Sequence, residues 1–143
     1  MIASRSKDDG GAPRLKRLDH VEIIPSDFER SLDFYTTVLG GGLAQRYAVD
    51  VPGISEIAYL KLGDSAVELI HAPGAQAQAK TGERIGYRLM AFEVGDMLQT
   101  LATLSAHGVT PSWGPLETPA FIRAEINDPD GNAIELREWR QRP

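Results

Sequence analysis

Asp128-Pro129-Asp130-Gly131-Asn132-Ala133-Ile134-Glu135-Leu136 reads as a tight turn feeding a strand. Proline presets one backbone angle, aspartate bonds its own backbone, and glycine accepts the left-handed corner. In the strand, Ala133, Glu135 and Arg137 share one face, and Ile134 and Leu136 the other. A carboxylate alternating with apolar side chains is unusual enough to search for elsewhere. It recurs in Asp64-Ser65-Ala66-Val67-Glu68-Leu69, with Glu68 lying 67 residues before Glu135. The echo indicates a duplicated unit carrying one such carboxylate per copy.

Outward from that echo, the order of elements repeats. Leu18 to Ile24 alternates as a strand closed by Pro25. Ser26 and Glu29 fit a capping box, and Phe28, Leu32, Tyr35 and Leu39 follow at helical spacing up to Gly40. Strands are expected over 43–49, 56–62 and 65–71. The small, polar run 72–84 reads as a linker or flap. The second copy then offers a strand over 85–94, a helix capped by Asp96 and ending at His107-Gly108, and strands over about 109–113, 120–127 and 132–139. Matching Asp27 to Asp96 sets His20 opposite Leu89. Residues 1–16 are polar and aperiodic, a flexible N-terminal arm. Residues 17–143 form a single domain of two modules, about 17–72 and 84–139.

Strand parity sorts the side chains. Val21, Ile23, Val67, Leu69, Met90, Phe92, Val94, Ile122, Ala124, Ile126, Ile134 and Leu136 form the apolar faces. His20, Glu22, Glu68, Tyr87, Leu89, Glu93, Arg123, Glu125, Glu135 and Arg137 fall on the opposite faces. Charges interleaved this regularly do not build a dry core. They either face solvent or line a polar cavity.

The 143 residues are 42% hydrophobic with a net charge of −5 and no cysteine. Thiolate ligands, a cysteine nucleophile and disulfides are therefore excluded. An acidic balance without a basic run argues against nucleic acid, and no stretch is long and apolar enough for a membrane span. The chain start lacks the apolar segment of a signal peptide, so a cytoplasmic location is expected.

With Leu18-Asp19-His20-Val21, Ser26 through Tyr35 ending in Val38-Leu39-Gly40, Ala91-Phe92-Glu93-Val94 and Asp128 through Leu136 in this order, the chain resembles the vicinal oxygen chelate superfamily. This is the group of glyoxalase I, bleomycin-resistance proteins, extradiol dioxygenases and methylmalonyl-CoA epimerase. The resemblance implies an α+β fold in which paired βαβββ modules form a curled mixed sheet around a cavity. It implies metal ligands at His20, Glu68 and Glu135. A further family ligand, a histidine in a His-hydrophobic-Ala-Phe phrase, is replaced here by Leu89. His71 has the wrong parity to substitute, and His107 ends a helix.

One imidazole and two carboxylates suit Zn, Mn, Ni or Fe as a divalent cofactor, with positions left open for substrate. Without a second histidine the set lacks the facial triad of oxygenases. Taken singly, Glu68 or Glu135 would instead be salt-bridged to Arg123 or Arg137. The resemblance implies a lyase or isomerase in which metal stabilises an enolate-like intermediate and a carboxylate, Glu68 or Glu135, moves a proton. If both stay on the metal, the base is Glu22, Glu93 or Glu125. Tyr87, Leu89, Arg123 and Arg137 are the expected ligand contacts. The alternatives are a metal-free binding protein, like the antibiotic-sequestering branch of the family, and a metal-free acid–base enzyme. The partner is a small molecule, and a homodimer is expected from exposed strand edges.

Overall fold

The computed structural model describes residues 11–78 and 83–143. Residues 1–10 of the expected arm and 79–82 of the expected linker lie outside them. Strand, helix and three strands occur twice. The first set is β1 (His20–Ile23), α1 (Phe28–Asp33), β2 (Gly42–Val51), β3 (Ile54–Leu62) and β4 (Ser65–His71). The second is β5 (Met90–Glu93), α2 (Met97–Ala106), β6 (Trp113–Glu117), β7 (Phe121–Asn127) and β8 (Ala133–Trp139). Each set makes an open four-stranded mixed sheet, ordered β1-β4-β3-β2 and β5-β8-β7-β6. The first strand of each set runs parallel to the last, and the other pairings are antiparallel. This is the α+β architecture of paired βαβββ modules.

Parity is as the alternation requires. Val67, Leu69, Ile134, Leu136, Ala124 and Ile126 are buried with Phe28, Leu32, Met97 and Leu104 of the helices, in one apolar cluster spanning both modules. A fully buried aliphatic such as Leu69 or Ile134 contributes roughly 1.5–3 kcal/mol. His71 lies on this face, stacked on Phe28 with ring centroids 5.1 Å apart.

Several local expectations are corrected. Asp27, not Ser26, caps α1, its Oδ1 accepting from Arg30 N at 3.0 Å. Glu29 turns outward to Arg46 rather than back to the cap. The helix does not run uniformly to Leu39, because from Phe34 to Val38 it widens to a π-helical turn. Gly40, at φ 74°, and Gly41 then end it, with Gly41 N donating to Tyr35 O at 2.9 Å. A Cβ on Gly41 would lie 2.6 Å from that same oxygen, so the close approach requires glycine. The strand expected over 85–94 is paired only at Met90–Glu93, because its parallel partner β8 begins at Ala133. The strand expected over 109–113 begins instead at Trp113, since Val109 N closes the end of α2 on Leu104 O.

The Asp128–Asn132 turn is the joint between modules. Asp128 is only 4% exposed. Its carboxylate accepts from Asp130 N at 3.0 Å, Asn132 N at 2.8 Å, Asn132 Nδ2 at 2.8 Å and, across the chain, Tyr35 Oη at 2.8 Å. Burial foremost, and then the Asp128 charge, push the Tyr35 hydroxyl's pKa far upward, so it stays a donor. Ser26, freed from capping, donates its N–H to Asp130 Oδ2 at 3.0 Å and its hydroxyl to Oδ1. Tyr35→Phe should therefore lower unfolding free energy by about 1.5–3 kcal/mol, the range for a hydrogen bond to a buried charged group. Urea melts would show this as a lower midpoint at unchanged slope, and an unmoved midpoint would show that the bond carries no stability.

Candidate functional site

On the polar face of the first sheet, pairing sets the geometry. Glu22 of β1 stands opposite Glu68 of β4, which in turn stands opposite Tyr59 of β3. His20 lies two residues before Glu22 and shares its face. His20 Nε2 is 3.1 Å from Glu68 Oε2 and 3.5 Å from Glu22 Oε1. Its Nδ1 is 2.8 Å from Asp19 Oδ2, and Tyr59 meets the ring edge-on with centroids 6.0 Å apart. The Asp19 bond assigns the Nδ1–H tautomer and turns Nε2 toward the two glutamates. A lone pair aimed at two carboxylates is repulsive, so the three converging atoms favour a cation between them, a proton or a metal. The Asp19 bond accordingly raises the pKa of His20 despite opposing burial, with Glu22 and Glu68 adding to it. The same bond lowers the Asp19 carboxyl.

Glu135 is elsewhere. It is buried on the second sheet, with Oε1 accepting from Arg137 Nε at 2.5 Å and Oε2 3.1 Å from an Arg123 terminal nitrogen. It does not join the His20, Glu22 and Glu68 group, whose ligand atoms lie within 4.8 Å of one another. Arg123 also reaches Glu125 at 2.6 Å, and Arg88 holds the same oxygen at 2.7 Å. Aromatic rings cover the guanidinium groups. Arg123 lies 4.7 Å from the Trp113 ring, and Arg137 lies 4.3 Å from Phe121 and 4.9 Å from Trp139. A cavity of about 410 Å³ is lined by Glu83, Arg88, Trp113, Arg123 and Glu125.

The structure therefore unites His20 with Glu68, and separately Glu135 with Arg123 and Arg137. Leu89 is half-buried just before β5. Tyr87 is fully exposed in the connection before that strand, so its expected place on the polar sheet face is corrected. Arg88 and Asp19 escape a parity reading. Arg88 acts from an unpaired segment where alternation has no meaning, while adjacency to His20 was the available signal for Asp19.

The chain matches the family model of the Glyoxalase/Bleomycin resistance protein/Dioxygenase superfamily over residues 17–136, and it belongs to that superfamily. A probable lactoylglutathione lyase of Vibrio cholerae is 30% identical over 131 residues, covering 87% of this chain and 92% of the relative. A lactoylglutathione lyase of Neisseria meningitidis is 32% identical over 127 residues, covering 84% and 88%. The crystal structure of a glyoxalase family protein from Enterococcus faecalis superposes with a TM-score of 0.74 at 25% identity, covering 86% of this chain and 98% of that one.

In metal-stripped protein, the His20 imidazole should titrate above the ordinary value near 6.5 by NMR, and Asp19→Asn should bring it down. A His20 that titrates at or below that value in the parent would mean the Asp19 bond does not hold in solution.

Proposed function

We propose that this protein is a glyoxalase-like lyase or isomerase acting on a small molecule with a carbonyl next to an ionisable C–H or O–H bond. The observation that carries the reading is the convergence of His20 Nε2 on Glu68 Oε2 at 3.1 Å, with Nδ1 held by Asp19. An imidazole oriented by an outer carboxylate and set beside a second carboxylate is a donor set that fits a divalent transition metal such as Zn, Mn, Ni or Fe. When bound, the metal supplies Lewis-acid polarisation of a substrate oxygen. The chain's residues do the rest. Asp19 fixes the ring, and Glu68 balances charge. Arg123, stacked over the Trp113 ring, and Arg88, which lines the same cavity on the second sheet, orient an anionic or planar portion of the substrate.

Glu135 enters this reading as the anchor of Arg123 and Arg137, since guanidinium donors engage both its oxygens. The relatives named lactoylglutathione lyase make a hemithioacetal of a 2-oxoaldehyde the first substrate to try, followed by 2-oxo acids and acyl-CoA thioesters. A cytoplasmic homodimer is part of the proposal. The homodimer rests on the exposed apolar side chains of the outer strands, Leu43, Tyr47 and Val51 of β2 with Trp113 and Leu116 of β6.

A second reading, a metal-free binding protein, is favoured by Leu89 at a family ligand position and by the arginine–tryptophan cavity. The two readings separate in one experiment. Chelator-treated protein is reloaded with Zn²⁺, Mn²⁺, Ni²⁺ or Fe²⁺ and assayed on the hemithioacetal, the 2-oxo acids and the thioesters. The expected result is turnover that rises at least about 1000-fold with metal, the scale of a Lewis-acid contribution of several kcal/mol, and that Glu68→Gln abolishes together with bound metal. Protein that takes up none of these ions would sink the metalloenzyme reading and leave metal-free binding or metal-free acid–base catalysis.

A further inference from the structure

The histidine expected at the start of the second module is Leu89, and Glu135 is engaged by Arg123 and Arg137, so neither position adds a donor to the His20 and Glu68 group within this chain. We propose that Glu22 supplies the missing donor, and that the metal centre is His20, Glu22 and Glu68, built entirely on the first sheet. The proposal rests on the metal-binding reading above and names its ligands.

Register is the first support. In the parallel β1–β4 pair, Glu22 and Glu68 are direct neighbours on one face, with His20 two residues earlier on the same strand. One ligand atom from each lies within 4.8 Å of the others. Three protein ligands leave positions open for water or substrate, the pattern of a catalytic rather than a structural site.

Charge is the second, independent support. Around His20 stand three carboxylates, Asp19, Glu22 and Glu68. Within ion-pair distance they are met by His20 itself and by Arg17, 4.0 Å from Asp19, with Lys61 acting on Asp19 only at longer range. On the second sheet, two carboxylates, Glu125 and Glu135, are met by Arg88, Arg123 and Arg137. The second set has more cationic than anionic groups, and the buried Arg123 Nε has no hydrogen-bond partner. The first has more anionic than cationic groups, and Glu68, with its side chain 14% exposed, is the least solvated of them. A divalent cation restores the balance there. Glu22, with its side chain 61% exposed, is open to solvent and so to an arriving ion.

The test is metal binding, read without any assay of turnover. Full-length chelator-treated parent, Glu22→Gln, Asp19→Asn and Glu135→Gln are titrated with Zn²⁺ and with Ni²⁺ by calorimetry, and elemental analysis gives the stoichiometry. The expected result is one equivalent on the parent and a loss of more than about 100-fold in affinity for Glu22→Gln. That exceeds the 10–100-fold loss expected for the outer-shell change Asp19→Asn, while Glu135→Gln binds as the parent does. Parent affinity in Glu22→Gln, with loss in Glu135→Gln, would overturn the assignment and place the third donor on the second sheet, reached from another copy of the chain. If Glu135→Gln does not fold, Glu22→Gln decides alone, because parent affinity there refutes the proposal. A parent that binds neither ion refutes the metal-binding reading itself, a result distinct from metal bound without Glu22.

Discussion

The bond between Tyr35 and Asp128 is the constraint on which the arrangement of the two modules depends. It joins the π-helical turn of the first module to the turn that launches the last strand of the second. A carboxylate this buried is costly unless every lone pair is used, and four donors use them. Three of those donors come from the turn itself, so Asp128 shapes the turn and spends its remaining acceptor on the other module. The partner must be a phenol that keeps its proton, which burial ensures. The widened helical turn and the Gly40-Gly41 ending belong to the same arrangement, since together they carry Tyr35 inward and let the chain leave past its carbonyl. Ser26 on Asp130 makes a second tie between the same segments. Replacing one partner of such a set is strongly destabilising, although the set as a whole adds more to uniqueness than to net stability.

With the modules joined on their apolar faces, parity fixes what the other faces present. A slip of one residue in β1 would bury His20 and Glu22 and expose Val21 and Ile23, a change the core does not permit. This is why His20, Glu22, Glu68 and Tyr59 meet. It is also why His71, one residue out of phase, stacks on Phe28 on the apolar face instead of joining them. The rigid sheet, more than any loop, sets the geometry of the His20 cluster.

Much of this was legible in the residues alone. The repeated Glu-Leu phrase, the helix spacing and the alternation led to two βαβββ modules, and parity put His20 beside Glu68. Periodicity reports faces but not partners, which underlies the corrected placements of Tyr87 and Ser26 and leaves the surroundings of Glu135 unread. Glu135 and Glu68 are equivalent by repeat and by parity. Only the cross-strand neighbours Arg123 and Arg137 distinguish Glu135, and which carboxylate a long guanidinium side chain reaches is a matter of three-dimensional reach. Tyr87 and Arg88 looked like strand residues because 85–94 alternates. A strand needs a partner, however, and β8 starts too late to provide one for them. Ser26 looked like a cap because it stands three residues before Glu29, yet Asp27 has the same reach one residue on and Asp130 competes for the serine.

The repeat thus left two equivalent carboxylates, and the modules surround them differently. On the second sheet, guanidinium forks and aromatic rings hold Glu135, Arg123 and Arg137 in place, and the Glu135 side chain is 7% exposed. That surface is preorganised, so a ligand laid on it loses little to side-chain ordering, which suits recognition of a shaped, partly anionic molecule. On the first sheet the carboxylates are held only by strand register and an imidazole, and Glu22 is largely in water. Groups that are close but not locked can draw in around a cation and accommodate changes in its coordination.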